Sequence, residues 1–281
     1  MTFGKSQWRM FSLALGLLSV PLAGTASAAP TSVSLAGSFQ SEIGCSSDFN
    51  LGCSQTQLLF DSNDDAWERS ITIPAGSYSY VVGINGGFDE SYGLNTQRGV
   101  NIPLTLSSTQ TVNFYYSDAT KWVTDNVNSR IVTLASSFQS ELGCAGDFQP
   151  SCLRTWLQDP NGDGIYTLTT DLLPAGMNSL VVTVGQSFGE VYGPGGVRNG
   201  GNINFTVDRA GMPITFEFTS STNVLRILPI DDPPASVPEP PGSLLLATGL
   251  LGLLSISRRS KCTLRRAVTR LSRQGGEVAG L

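Results

Sequence analysis

The stretch that decides the fold is SFQSELGC, Ser137 to Cys144, because the chain also contains SFQSEIGC at Ser38 to Cys45. The two copies lie 99 residues apart, and each is followed by an acidic residue, a phenylalanine and a second cysteine. A repeat of this length is too long for a solenoid and fits a whole small domain. The sequence therefore predicts a tandem duplication, with module 1 at residues 31–129 and module 2 at residues 130–229.

Apolar and small polar residues alternate within both modules, as they do in half-buried β-strands. TSVSLAGSF, Thr31 to Phe39, and RIVTLASSF, Arg130 to Phe138, are two such segments. Other short segments rich in β-branched and aromatic residues follow, separated by Pro-Ala-Gly turns at Pro74 and Pro174. Neither module contains a sustained helical period. The pattern predicts an all-β fold with one β-sandwich per module.

The composition excludes several classes of function. The 281-residue chain contains no histidine, which removes the base of a Ser-His-Asp triad and a common zinc ligand. Residues 30–240 contain 8 Lys or Arg against 21 Asp or Glu. Because an acidic surface repels phosphate backbones, nucleic acid is not expected as a partner. Nothing in the sequence calls for a cofactor.

The N-terminal residues 1–29 are typical of a cleaved signal peptide. Lys5 and Arg9 precede a short apolar run, and Ala26-Ser27-Ala28 forms a small-residue cleavage site. A short anchor that is retained is the alternative. The signal predicts export, and therefore a compartment in which disulfides form.

The C-terminal part begins with residues 230–242, a proline-rich linker that contains a PEP motif. Residues 243–257 are apolar and are predicted to enter the membrane as a helix, although the run is short for a full span. Residues 258–281 form a basic tail, whose positive charge is expected to hold that end on the cytoplasmic side.

The cysteines occur as one pair in each module, with the two members eight positions apart. This spacing in an exported protein predicts two local disulfides, while a four-cysteine metal site lacks the usual CxxC spacing. A loop this short contributes roughly 2–3 kcal/mol to stability. Cys262 is left over beyond the apolar segment, where it is expected to stay reduced. The predicted disulfides are Cys45–Cys53 and Cys144–Cys152.

The loop Asp159-Pro-Asn161-Gly-Asp163-Gly164 resembles the first half of a calcium loop, with oxygen ligands at alternate positions. The expected bidentate glutamate is missing, because that position is Thr170. Module 1 carries Asp61-Ser-Asn63-Asp64-Asp65 at the equivalent place. The alternative interpretation is an Asx-rich hairpin turn that needs no ion.

A second shared segment is FDESYG, Phe88 to Gly93, and FGEVYG, Phe188 to Gly193, each followed by an arginine and Asn-Ile. Rings beside such polar side chains are typical of a sugar-binding surface. The alternative places the phenylalanines in the core, which we favour for them, and pairs the Glu with the Arg. Trp122 and Trp156 occur in only one copy each and are further candidates, although such residues are more often core. The candidate glycan-binding residues are Trp67, Phe88, Glu90, Tyr92, Arg98 and Asn101 in module 1, and Tyr166, Phe188, Glu190, Tyr192, Arg198 and Asn202 in module 2.

These shared residues resemble the X25 module that accompanies the catalytic domain of bacterial pullulanases. The resemblance rests on SFQSELGC, Asp147-Phe148, the second cysteine, the Pro-Ala-Gly turn and the F-x-E-x-Y-G segment, and on KWVTDN at Lys121 to Asn126. It implies an immunoglobulin-like β-sandwich in each copy, related to starch-binding modules. Module 2 departs from it with TNVLR at Thr222 to Arg226. Phenylalanine stands where the module often has tryptophan, at Phe49, Phe88, Phe148 and Phe188.

Val237-Pro-Glu-Pro240, the apolar segment and Arg258-Arg259 resemble a PEP-CTERM sorting signal of Gram-negative bacteria. The resemblance implies processing by an exosortase-type enzyme, transient anchoring in the inner membrane and a role linked to exopolysaccharide. The tail after Lys261 is longer than such signals usually have, which a basic appendage at the membrane surface or an error in the gene boundaries would explain.

The sequence as a whole predicts a non-catalytic protein at the cell surface that binds α-glucan or a related polysaccharide through both modules. A structural protein of the exopolysaccharide or biofilm matrix, with no sugar pocket, is the alternative. No pullulanase catalytic domain is expected in the remaining length. A glycosidase that uses Glu90 or Glu190 is the third interpretation.

Overall fold

The computed structural model describes residues 29–229, which contain β-strands and short 3₁₀ turns and no α-helix. This confirms the all-β prediction. None of the helical turns in that range is long and apolar enough to cross a membrane. The signal peptide up to residue 28, and the linker, apolar segment and tail from residue 230 onward, lie outside the described residues.

Module 1 is built from two four-stranded antiparallel sheets. One sheet has β4 at its centre, paired with β1, β5 and β6. The other has the order β2-β3-β7-β8. The strands are β1 Val33–Gly37, β2 Leu59–Asp61, β3 Ala66–Ile73, β4 Gly76–Ile84, β5 Gly87–Tyr92, β6 Ile102–Leu106, β7 Gln110–Tyr116 and β8 Val123–Asp125.

Module 2 repeats this arrangement with a few changes. Its first sheet has the order β10-β9-β12-β13, with β14 also paired to β12, and its second has the order β11-β15-β16. The strands are β9 Val132–Ser136, β10 Trp156–Leu157, β11 Ile165–Thr170, β12 Gly176–Val184, β13 Val191–Tyr192, β14 Ile203–Val207, β15 Ile214–Thr219 and β16 Val224–Pro229. The exact module boundaries and the immunoglobulin-like assignment remain predictions.

The phenylalanine of the duplicated stretch anchors the core of each module. Phe39 is fully buried and stacks on Phe114 of β7 with 5.8 Å between ring centroids. Phe138 stacks on Phe216 of β15 at 5.7 Å in the same way. Burying an aromatic side chain stabilises a fold by about 1.5–3 kcal/mol, so each contact ties the start of its module to the opposite sheet.

The glutamine that follows is also fully buried, and it organises the disulfide loop. In module 2, Oε1 of Gln139 accepts hydrogen bonds from the backbone N–H groups of Ser136 (3.1 Å) and Gln149 (2.7 Å). Its Nε2 donates to the carbonyl of Gln149 (2.8 Å) and to Oγ1 of Thr155 (3.1 Å). Gln40 makes the equivalent bonds in module 1. The side chain therefore satisfies backbone groups that the irregular loop leaves without a strand partner.

Both predicted disulfides are confirmed, Cys45–Cys53 and Cys144–Cys152. The loop that each one closes is also held by an aspartate. Oδ1 of Asp48 accepts hydrogen bonds from the backbone N–H (2.9 Å) and the hydroxyl (2.8 Å) of Ser41. These hydrogen bonds, the backbone one first, lower the pKa of Asp48. Asp147 and Ser140 repeat the contact in module 2.

The modules differ where their last strands enter the core. In module 1 the Tyr80 hydroxyl donates to Oδ2 of Asp125 (2.7 Å), and both residues are fully buried. Strand pairing places Leu180 and Ile227 at the equivalent positions of module 2. A buried polar pair of module 1 thus corresponds to an apolar pair in module 2, and Asp125 belongs to the KWVTDN segment that module 2 lacks.

The two modules are in direct contact through aromatic side chains. Trp122 of module 1 and Trp156 of module 2 lie 4.9 Å apart between ring centroids and are 4% and 3% exposed. Tyr115 also contacts Trp156, and Trp122 contacts Tyr166. The hydrophobic core of module 2 extends through these contacts to Ala66, Tyr115 and Trp122 of module 1. The modules therefore share part of one core.

Polar contacts surround this aromatic cluster. The backbone N–H of Leu153 donates to Oδ1 of Asp64 (2.9 Å). Arg154 donates to the carbonyls of Asn63 (3.0 Å) and Ser62 (2.7 Å). Gly162, at φ +73°, approaches module 1 so closely that a Cβ there would lie 2.7 Å from Oδ1 of Asn95.

Replacing Gln139 by Leu tests the role of the buried amide. The variant leaves two backbone donors, a carbonyl and a hydroxyl without their partner, each at a cost of about 1–3 kcal/mol. We expect Gln139→Leu to lower the free energy of unfolding of module 2 by about 2–4 kcal/mol, measured by denaturant titration with tryptophan fluorescence. Gln55→Leu, at an exposed position, is the matched control. Equal stability of the two variants would contradict this account of the loop.

Candidate functional site

The phenylalanines of the F-x-E-x-Y-G segments lie on the surface. Phe88 is 51% exposed and Phe188 is 54% exposed. The favoured expectation that they belong to the core is therefore wrong. The tyrosines two positions after the glutamates, Tyr92 and Tyr192, are buried and face the core instead.

The polar residues of this segment bind one another in module 1. The Tyr92 hydroxyl donates to Oε1 of Glu90 (3.0 Å). The guanidinium of Arg98 lies 5.7 Å from the centre of the Tyr92 ring and donates to the carbonyl of Asp89 (3.5 Å). Lys121 lies 5.8 Å from the same ring. Three of the residues predicted in module 1 therefore lie together, since Glu90 and Arg98 both contact Tyr92.

Module 2 builds its cluster with an arginine that the sequence did not single out. Arg130 pairs with Glu190 and donates to Oδ1 of Asn223 (2.7 Å), and it lies 5.5 Å from the centre of the Tyr192 ring. Burial alone would raise the pKa of Glu190, but hydrogen bonds from Tyr192 and Arg130 lower it. Arg198 is exposed and lies near enough to add to this lowering. An ion pair of this kind holds the segment in place.

The predicted asparagines have a similar role. Nδ2 of Asn101 donates to Oγ of Ser79 (3.4 Å), and Nδ2 of Asn202 donates to Oγ of Ser179 (2.9 Å). Each bond ties the start of an edge strand to the central strand of its sheet. These amide donors are therefore engaged within the protein.

The large aromatic candidates lie in different environments. Trp156, Trp122 and Tyr166 are buried between the modules, so they cannot stack on a sugar. Their selection as an exposed platform is wrong, and the core alternative holds. Trp67 is half-buried and forms a tilted pair with Phe60, which is 50% exposed, at 5.4 Å.

The calcium-like loop forms a turn around one carboxylate. Asp159 is buried, and its two oxygens accept hydrogen bonds from the backbone N–H groups of Gly162 (2.8 Å), Asp163 (3.1 Å) and Gly164 (2.9 Å). Nδ2 of Asn161 donates to Oδ2 of Asp163 (2.8 Å). These hydrogen bonds are those of the Asx-rich turn that was the alternative interpretation.

A cleft of about 710 Å³ lies on the outer face of the β2-β3-β7 sheet and ends against module 2. Strand pairing places Glu68 opposite Tyr115 and Ser70 opposite Asn113 on this face. Ser70 donates to Oδ1 of Asn113 (2.8 Å). We call this feature the intermodule cleft and define it by Leu59, Glu68, Ser70, Asn113 and Tyr115 of module 1 and Gln186 of module 2.

Gln186 joins the two walls of the intermodule cleft. Its Oε1 accepts a hydrogen bond from the Tyr115 hydroxyl (2.6 Å), and its Nε2 donates to the carbonyl of Ser151 (3.4 Å). The residue has a left-handed backbone with φ +56°, whereas its counterpart in module 1 is Gly86 at φ +75°. A glutamine is strained in this conformation relative to glycine. The hydrogen bond to Tyr115 offsets that strain and holds the turn against module 1.

Three carboxylates lie together at one side of the cleft. The oxygens of Asp61, Asp64 and Glu68 are all within 4.8 Å of one another, close enough to share a cation. Burial, followed by the charge of Asp64, raises the pKa of Glu68 to about 7. Burial is also the main reason that the pKa of Asp64 is raised. At neutral pH the group therefore retains a proton more readily than isolated carboxyls do.

The cleft residues Glu68, Tyr115 and Gln186 were not among the sequence candidates, and the contact between the modules was not predicted. A signal for them does exist, because they are positions at which the two copies differ. Trp122 corresponds to Val224 and Trp156 to Gln57, while Tyr115 corresponds to Glu217. In a tandem pair each module meets its neighbour through a different face, so departures from the repeat mark the contact.

The fold and these surfaces define the class of protein: a tandem pair of β-sandwich modules in contact with each other. The family model for the pullulanase X25 domain matches this chain twice, at residues 32–123 and 131–225. The chain belongs to the pullulanase X25 domain family, which confirms the duplicated module.

The relatives are much longer proteins. An amylopullulanase of Thermoanaerobacterium thermosulfurigenes is 29% identical over 214 residues, which is 73% of this chain and 11% of that protein. An amylopullulanase of Thermoanaerobacter thermohydrosulfuricus is 29% identical over 199 residues, or 68% of this chain and 13% of that protein. A pullulanase structure from Bacillus acidopullulyticus aligns over 72% of this chain and 28% of its own, with 15% identity and a TM-score of 0.32. The chain thus spans about a tenth of the length of these curated relatives.

The raised pKa of Glu68 predicts a pH dependence of stability. A carboxyl whose pKa rises from 4.5 to about 7 on folding stabilises the protein fully below pH 4.5, and this contribution is lost as the pH rises through 7. We expect Glu68→Gln to flatten the decline of unfolding free energy between pH 4.5 and 7. The measurement is denaturant unfolding at a series of pH values.

Glu141→Gln, at an exposed position, is the matched control and should follow the wild-type pH profile. Parallel profiles for wild type and Glu68→Gln would show that Glu68 titrates at its ordinary value.

Proposed function

We propose that this protein is an exported, non-catalytic binding protein for α-glucan or a related polysaccharide. The observation that carries the proposal is that both modules belong to the pullulanase X25 domain family. The matched relatives are named as amylopullulanases, enzymes that by their name act on α-glucans. The exposed Phe88, Phe188 and Phe60 give the surface rings that could stack on the apolar face of a glucose unit.

A structural role in an exopolysaccharide matrix is the second candidate. It is favoured by the clusters around Tyr92 and Tyr192, in which the Glu, Tyr and Arg side chains bind one another. Side chains that are satisfied within the protein have less to offer a ligand. On this alternative the two modules act as a rigid spacer.

Affinity electrophoresis distinguishes the two candidates. The fragment 29–229 would be run through native gels that contain amylopectin, pullulan or dextran, beside a non-binding reference protein. Retarded migration in amylopectin or pullulan is the expected result. Migration equal to that of the reference in all three gels would reject α-glucan binding and favour the structural role.

The absence of catalysis is part of the proposal. Incubation of the same fragment with amylopectin or pullulan should release no reducing sugar above the level of the buffer. Product that accumulates with time, and that is lost on replacing Glu90 or Glu190 by Gln, would revive the glycosidase interpretation.

We also propose that the signal peptide directs export and that an exosortase-type enzyme processes the PEP motif after transient insertion of residues 243–257 in the inner membrane. The support is the sequence pattern at both ends of the chain. The intact mass of the protein recovered from the cell surface of its Gram-negative source tests this. A mass that still includes residues 1–28 or the basic tail would contradict the corresponding cut.

A further inference from the structure

We propose that the intermodule cleft is the glycan-binding site, and that the molecule has one such site, formed by module 1 and completed by module 2. The inference rests on the proposed function, and it assigns that function to a different place from the F-x-E-x-Y-G segments. The bound class is a neutral polyhydroxyl chain, such as a linear α-glucan.

The size and shape of the cleft fit this ligand. Its volume of about 710 Å³ falls within the range of about 300–1,000 Å³ that is typical of small-molecule sites. It lies along the outer face of paired strands, so a chain of sugar units can run across it. Strand pairing places Leu59 on the same face as Glu68 and Tyr115, and its side chain is 63% exposed. The ring of Phe60 tilts against Trp67 on the other face of the sheet, so Leu59 is the apolar side chain that the cleft offers to a sugar ring.

The polar groups of the cleft match hydroxyl groups. Oε1 of Glu68 is buried and has no hydrogen-bond partner within residues 29–229. A buried acceptor without a donor costs about 1–3 kcal/mol, and a sugar hydroxyl that donates to it would recover that cost. Ser70 and Asn113 lie next along the same face and can both donate and accept.

The charge of the cleft disfavours acidic ligands. Asp61, Glu68 and Arg69 line it, so carboxylates outnumber the single guanidinium. Burial, followed by the charge of the neighbouring Asp64, raises the pKa of Glu68. A uronate or a phosphate would be repelled, whereas a neutral sugar would not be.

Within residues 29–229 the site occurs once. The positions in module 2 that correspond to Leu59, Glu68 and Tyr115 are Gln158, Thr167 and Glu217. Module 2 contributes Gln186 instead, which reaches across to the Tyr115 hydroxyl. Gln186 keeps a left-handed backbone that glycine would adopt without strain. The cost of this conformation is explained if the side chain has a role in the cleft.

Isothermal titration calorimetry of the full chain with maltoheptaose tests the proposal. We expect one maltoheptaose per molecule. Leu59→Ala removes the exposed apolar side chain of the cleft, and Gln186→Gly removes the glutamine side chain while relieving its backbone. Each should weaken binding about tenfold or more, which corresponds to about 1.4 kcal/mol or more.

One control variant should bind as the wild type does, and a second variant tests the F-x-E-x-Y-G segments as the rival site. Asn199→Gly makes the same kind of change as Gln186→Gly, at an exposed left-handed residue outside the cleft. The double variant Phe88→Ala/Phe188→Ala removes the exposed rings of the F-x-E-x-Y-G segments. Unchanged near-ultraviolet circular dichroism would show that Trp122 and Trp156 keep their packing in each variant.

The outcomes separate this inference from the function on which it rests. Binding by the wild type that survives both cleft variants, or that is lost only in the Phe88/Phe188 double variant, would overturn the cleft and leave α-glucan binding intact. Two maltoheptaose molecules per chain would also overturn the single site. No binding by the wild type to maltoheptaose, amylopectin or pullulan would reject both.

Discussion

The packing of Trp122 on Trp156 is the contact on which the rest of this structure depends. The two rings come from different modules, and both are almost completely buried. A tandem protein whose modules were joined only by a chain would leave these rings in water. Their burial extends the core of module 2 into module 1. Beside them, the hydrogen bond from Leu153 to Asp64 holds a loop of module 2 against the turn between β2 and β3 of module 1. The pair of modules is therefore one structural unit.

This arrangement changes how the duplication is understood. The simplest expectation for two similar modules is two similar sites that act together through avidity. The F-x-E-x-Y-G residues do recur in both copies, but most of their polar groups bind one another. A different surface, the intermodule cleft, lies where Gln186 of module 2 meets the sheet of module 1. The two copies of the fold therefore also differ in the contacts that they make with each other.

Much of the fold could be predicted from the sequence, because strand alternation and the repeated SFQSE stretch are local signals. The pairing of Cys45 with Cys53 follows from spacing in the same way. The site was less accessible, since Glu68, Gln186 and Tyr115 are brought together by contacts between distant segments. Phe88 was assigned to the core because large rings usually are buried, whereas here it lies half-exposed on the edge strand β5. Differences between the copies, such as Trp156 against Gln57, were the signal for the module contact.

The central claim is that the two modules form one body, and ¹⁵N relaxation of the fragment 29–229 tests it most directly. A single body predicts that amides of both modules report one overall rotational correlation time, that of a protein of about 200 residues. The linker residues between Asp125 and Arg130 should be as rigid as the strands, because Asp125 and Asn113 hold them by hydrogen bonds. Two separate, shorter correlation times with a mobile linker would contradict the account.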